Sequence, residues 1–173
     1  MLMSIRPSND KSLNISPSGD VIPANMKILR HLIPVAILSA TFALSASAAP
    51  TTDYPAALEL AAKENKPVLL EFTGSDWCPP CKMMKKEVLS DAKFQSFAGD
   101  KLVFVELDFP QGKKQSPELA KQNDDLQSKF KVEGYPTFIL LDSKGKELGR
   151  TIGFMQGGPE AFIGWIEKQM AKS

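Results

Sequence analysis

The sequence predicts one α/β domain in which strands and helices alternate and a hairpin precedes the last helix. Three observations carry that expectation. Short apolar runs of buried-strand type at 68–73, 102–108 and 137–141 are separated by stretches with helix formers and helical apolar spacing. A turn at Asp142-Ser143-Lys144-Gly145-Lys146 then returns the chain through one more strand. The only two cysteines, Cys78 and Cys81, stand where the first strand hands over to a helix.

The first fifty residues read as an address. Residues 1–25 are polar, with Pro, Ser and Asn prominent, and are expected to be a disordered or mis-assigned extension. Residues 26–48 form a secretory signal: basic Lys27 and Arg30, an apolar stretch from Leu32 to about Leu44, and small residues Ala46-Ser47-Ala48. The apolar stretch is short of the roughly 20 residues a membrane span needs. Cleavage is expected near Ala48, giving a soluble periplasmic protein of residues 49–173 with no stable membrane association. An uncleaved anchor is the alternative.

In the remainder, Asp53 caps a helix with Pro55 in its first turn, and Asn65-Lys66-Pro67 ends it. The strand Val68–Thr73 follows, then the cysteine helix. Ser90-Asp91 restarts a short helical run through Phe94 and Phe97, which Gly99 stops. The next strand, 102–108, is almost continuously apolar, and therefore expected to be central in its sheet. A solvated loop at 111–115 leads to a helix opened by Ser116-Pro117, with Leu119, Leu126 and Phe130 inward. Pro136 stands at the mouth of the 137–141 strand, where proline normally costs a ladder hydrogen bond. The strand 147–154 returns, and Gly157-Gly158-Pro159 starts a last helix with Phe162, Ile163, Ile166 and Met170 on one face.

Composition excludes several chemistries. Four of the 21 basic and two of the 20 acidic residues precede Ala49, so the domain is near neutral and suits neither nucleic acid nor an anionic membrane. The single histidine, His31, lies in the signal, so the domain has no Cys–His nucleophile and no histidine general base. Cys78-Pro79-Pro80-Cys81 is left as the reactive feature. At a helix N-terminus the first sulfur meets unpaired backbone N–H groups that favour a thiolate, and the second lies one turn on. A structural disulfide closing so short a loop constrains the unfolded chain little. Structural zinc wants four N/S ligands, although copper with Met83 and Met84, or zinc shared by two chains, stays open. A reversible redox switch is the favoured reading, with no cofactor and no metal.

Trp77-Cys78-Pro79-Pro80-Cys81, Tyr135-Pro136-Thr137 and Gly153 ahead of the last helix, set in this element order, resemble the thioredoxin fold over about residues 53–172. In detail the chain resembles secreted bacterial thioredoxin-like proteins with a Gly-Ser-Asp-Trp-Cys entry and a Gly-Tyr-Pro-Thr strand. The resemblance implies a central mixed β-sheet of four to five strands flanked by helices, and a cis-proline at Pro136 facing the disulfide. It implies that Cys78 is the nucleophile and the more exposed sulfur, and that Cys81 resolves the mixed disulfide. Glu71 falls where the family keeps a buried acid that accepts a proton from the resolving cysteine. Here it is Glu, with one extra residue before Cys78 compared with ordinary thioredoxin. A solvated Glu71 is the alternative. Trp77, Tyr135, Pro136, Thr137 and Gly153 would form an apolar groove where an extended substrate segment pairs.

Pro79 and Pro80 have no N–H, so Cys81 is the nearest backbone donor to the Cys78 sulfur, and a weakly stabilised thiolate suits a reductant or isomerase. Lys82 either supports the thiolate or is solvated. The function expected is a monomeric thiol-disulfide oxidoreductase that reduces or isomerises disulfides of envelope proteins. Its partners would be protein clients, such as an apocytochrome or another maturation client, and an upstream thiol electron donor. The alternative is a metal-carrier or peptide-binding module.

Overall fold

A computed structural model of the chain describes residues 49–172. The expected N-terminal extension and signal, 1–48, lie outside the described residues. Five α-helices and four strands follow in order: α1 Tyr54–Glu64, β1 Val68–Thr73, α2 Pro79–Met84, α3 Ala92–Lys101, β2 Val103–Asp108, α4 Pro117–Phe130, β3 Thr137–Leu141, β4 Glu147–Ile152 and α5 Gly158–Met170. A π-helical turn, Lys85–Leu89, links α2 to α3.

The helix ends follow their caps. Asp53 accepts from the Ala56 N–H at 2.9 Å, and Asn65 leaves α1 in the left-handed region. Ser116 accepts from the Leu119 N–H at 3.2 Å, with Pro117 opening α4.

The sheet runs β2-β1-β3-β4. β1 is parallel to β2 and antiparallel to β3, and β3 is antiparallel to β4. All six residues of β1 are buried, because helices cover both of its faces. On one side Leu70, Phe72, Val105, Leu107 and Ile139 meet Tyr54 and Ala57 of α1 and Leu126 and Phe130 of α4. On the other, Leu69, Phe104, Phe138 and Leu140 meet Met84, Val88, Phe94, Phe162 and Ile166. Burying one such side chain is worth roughly 1.5–3 kcal/mol.

Three expectations are corrected. β2 is an outer strand, not a central one. Its apolar run reflects helices on both faces, and its free edge is taken by Thr51, whose N–H donates to the Phe104 carbonyl and whose carbonyl accepts from the Glu106 N–H, both at 2.9 Å. α3 does not stop at Gly99 but runs to Lys101, with the Leu102 N–H still bonded to the Ala98 carbonyl. The cost of a helical glycine, about 1 kcal/mol, is offset by burial of Phe94 and Ala98. β4 ends at Ile152, where Gly153 enters the left-handed region at φ 86°.

Candidate active site

The site grows out of the end of β1. After Thr73 the chain turns at Gly74, whose carbonyl accepts from the Trp77 N–H at 3.3 Å and the Cys78 N–H at 2.9 Å. Cys78 takes the N-cap position of α2 in extended geometry, and Pro79 and Pro80 occupy the first turn without a donor between them. Among the described residues, the one backbone N–H that reaches the Cys78 sulfur is that of Cys81, at 3.3 Å. Cys78 and Cys81 are joined as a disulfide with their Cα atoms 5.3 Å apart. Both are buried, at 3% and 2% exposure, so position on the helix separates them and exposure does not.

Two carboxylates lock the entry loop against the chain leaving β2. Asp108 accepts from the Ser75 N–H at 2.8 Å and the Ser75 hydroxyl at 2.6 Å. Asp76 accepts from the N–H groups of Gln111 at 3.1 Å and Gly112 at 2.6 Å. Those bonds, Gln111's first, hold the Asp76 carboxyl below the usual range. The Trp77 indole donates to the Phe109 carbonyl at 2.7 Å, and its ring meets Tyr135 edge-on at 5.7 Å. Lys82 donates to the Asp76 carbonyl at 2.6 Å, so its ammonium braces the loop.

The opposite wall is the Tyr135–Pro136 peptide, which is cis. Thr137 pairs with Phe72, so Pro136 stands level with the end of β1, where the cysteine loop departs. The Pro136 carbonyl accepts from the Gly153 N–H at 2.8 Å. Among the described residues neither the N–H nor the C=O of Tyr135 has a backbone partner. Thr137 is fully buried and donates to the Gly134 carbonyl at 2.7 Å, so it shapes the turn and does not line the groove. Exposed Ile152 lies beside Gly134 and extends the apolar rim.

Glu71, 2% exposed, stands two residues before the end of β1, ahead of the cysteine loop. Along β1 it shares a face with Leu69, the face on which α2 packs. The Lys85 N–H closes a helical turn on the Cys81 carbonyl, and the Lys85 ammonium attracts Glu71, so the turn that carries Cys81 overlies the strand that carries Glu71. Burial first, then the negative charge of Glu106, pushes the Glu71 carboxyl up to about 8.

Residues 54–170 match the model of the thioredoxin-like domain family. The chain belongs to the thioredoxin-like family. It is 39% identical over 117 residues to the disulfide bond reductase DsbH of Chlamydia pneumoniae, covering 68% of this chain and 70% of that protein. It is 30% identical over 112 residues to the thiol:disulfide interchange protein DsbD of Actinobacillus pleuropneumoniae serotype 5b, spanning 17% of that protein's length. A solved DsbH oxidoreductase superposes with a TM-score of 0.69 at 36% identity, over 78% of this chain and 92% of that one. The reduced C-terminal domain of Neisseria meningitidis DsbD gives 0.51 at 28% identity, over 66% and 92%. This chain is therefore a thioredoxin-like oxidoreductase with a redox cysteine pair.

The structure brings Trp77, Cys78, Cys81, Tyr135, Pro136 and Gly153 to one end of the sheet, with Glu71 behind them. Sequence reasoning missed Phe109, Asp76 and Asp108, because their partners lie 32–36 residues away. It also missed Gly74, whose role is spatial. A Cβ there would stand 2.5 Å from the Trp77 indole. Gly74→Ala is expected to swing that exposed ring outward and break its bond to Phe109. The check is tryptophan emission, which should shift to the red, with Trp165 as internal background; an unshifted spectrum would mean the ring keeps its seat.

Proposed function

We propose that this protein reduces or isomerises disulfides in proteins of the bacterial envelope, cycling Cys78 and Cys81 between dithiol and disulfide. The observation that carries the direction is the single backbone donor at the Cys78 sulfur. With Pro79 and Pro80 contributing none, the thiolate and hence the dithiol form are weakly stabilised, which favours giving electrons away. The name of the reductase DsbH supports the same direction.

In the forward cycle the Cys78 thiolate attacks a client disulfide, and the client's first sulfur leaves as a thiolate and takes a proton. Cys81 then gives its proton to Glu71 and attacks the Cys78 sulfur, expelling the client's second sulfur as a thiolate that takes a proton from solvent. The client disulfide has gained two electrons and the enzyme pair has lost two. An upstream thiol donor restores the dithiol. Client backbone would pair with the open N–H and C=O of Tyr135 as an added strand, against Trp77 and Ile152. Secretion follows from residues 26–48 acting as a signal cleaved near Ala48, and the domain works as a monomer without cofactor.

The test is trapping. Cys81→Ser should accumulate mixed disulfides between Cys78 and envelope clients, with turnover lost. Trapping through Cys78→Ser instead would reverse the two roles. Mass spectrometry of the native protein should begin near Ala49; retention of residues 32–44 would sink the localisation.

A further inference from the structure

On the α2 side of the sheet, at the β2 edge, a cavity of about 70 Å³ is lined by Pro50, Glu71, Lys85, Gln95, Phe104 and Glu106, among others. It is where buried Glu71 meets the outside. Glu71 and Glu106 are direct partners on neighbouring parallel strands, so their side chains leave the same face of the sheet. Glu106 is the outer of the two, its side chain 21% exposed, and its carboxylate lies 3.5 Å from the ammonium of Lys85, which is 60% exposed. Pro50 roofs the cavity, held there by the two Thr51 hydrogen bonds to β2.

The charged and polar groups acting on Glu71 are few. They are Glu106 and Asp108 on β2, Lys85 on the π-turn and the Thr73 hydroxyl on β1 itself. Its partner on β3, Phe138, is apolar, and the remaining polar side chains of the cavity, Ser90 and Gln95, carry no charge. A proton leaving Glu71 therefore has one usable acceptor. Lys85 is already an ammonium. Asp108 is occupied by the Ser75 N–H and hydroxyl. The Glu106 carboxylate faces the cavity, meets solvent and, among the described residues, is engaged by Lys85 alone.

We propose that Glu106 relays the proton between Glu71 and solvent, with Lys85 seated beside it at the cavity mouth. The proposal rests on Glu71 being the proton acceptor for Cys81. After that transfer the protonated Glu71 passes its proton to the Glu106 carboxylate, directly or through water in the cavity. Protonated Glu106 releases it to solvent, which restores the ionised fraction of Glu71 that can accept a proton in the next cycle. No charge is gained or lost, and the reverse sequence serves the opposite redox direction.

Electrostatics and relay make opposite forecasts for Glu106→Gln. Removing a neighbouring negative charge lets Glu71 ionise more readily, which alone would speed resolution near neutrality. A lost relay slows it. The experiment is single-turnover resolution of the glutathione mixed disulfide at Cys78, with Glu71 titrated in parallel by NMR of carboxyl-labelled glutamate. The expected result for Glu106→Gln is a lower Glu71 midpoint together with resolution roughly tenfold slower, partly restored in Glu106→Asp. Resolution that is faster or unchanged in Glu106→Gln, while Glu71→Gln still slows it, overturns the relay alone. Unchanged resolution in Glu71→Gln overturns the acceptor and the relay together. Should Glu106→Gln fold poorly, Glu106→Asp paired with Lys85→Met decides: the relay expects both to resolve more slowly than wild type, and wild-type rates in both overturn it.

Discussion

Glu71→Gln is expected to stabilise the oxidised protein by several kcal/mol in alkaline solution while leaving it almost unchanged in mild acid. The cause is the position of the carboxyl, buried on β1 with Glu106 as its register partner. Its folded-state value of about 8 stands above the ordinary 4.5. Between those two values the folded chain holds a proton that the unfolded chain has lost, so stability falls as pH rises through the window. Below the lower value both states are protonated and the burden vanishes. Above the upper value both are ionised and the loss is complete. Each pH unit across the window removes about 1.4 kcal/mol, on the order of 5 kcal/mol in all. Glutamine keeps the shape and has nothing to ionise. Urea unfolding of both proteins at about pH 5 and about pH 9 measures it, with the disulfide intact so that thiol titration does not enter. A wild-type stability as flat with pH as the variant's would place Glu71 in contact with solvent.

How much of this was legible in the chain depends on the range over which each feature is decided. The helix caps at Asp53 and Ser116 and the left-handed exit at Asn65 are settled within a few residues, and local pattern finds them. The cysteine pair at a strand-to-helix junction is equally local. The cis peptide before Pro136 came from family likeness, not from composition. Sheet order is another matter. An apolar run records that both faces of a strand are covered, which is as true of β2 at the edge as of β1 in the middle. Its true place depends on Thr51, far from it in the sequence, lying along it. The same limit hid the second acid. Glu106 reads as a polar break in a buried strand until parallel pairing sets it opposite Glu71. Thr137 is the converse: the motif suggests a substrate contact, but its hydroxyl is spent on the Gly134 carbonyl.

Replacing Pro79-Pro80 with Gly-His is expected to make the Cys78–Cys81 pair more oxidising. In the present arrangement Cys78 is an N-cap whose sulfur accepts from the third helical residue, Cys81, at 3.3 Å. The two positions before it are proline and cannot donate. A residue with an N–H in the second position adds a donor, and an imidazolium there adds a positive charge beside the sulfur. Both stabilise thiolate over disulfide, so the Cys78 pKa falls and the reduced form gains. A tenfold easier ionisation is worth about 1.4 kcal/mol, which in a two-electron couple is about 30 mV. With two contributions acting together, the expected rise is roughly 30–60 mV, or a ten- to hundredfold change in the equilibrium with glutathione. Equilibrating wild type and variant against glutathione reads the potential, and alkylation rate against pH reads the Cys78 thiol in the same samples. A potential that holds still or falls, with the thiol titrating unchanged, would mean that donor count at the helix start does not set the poise. The reducing direction would then lose its main support.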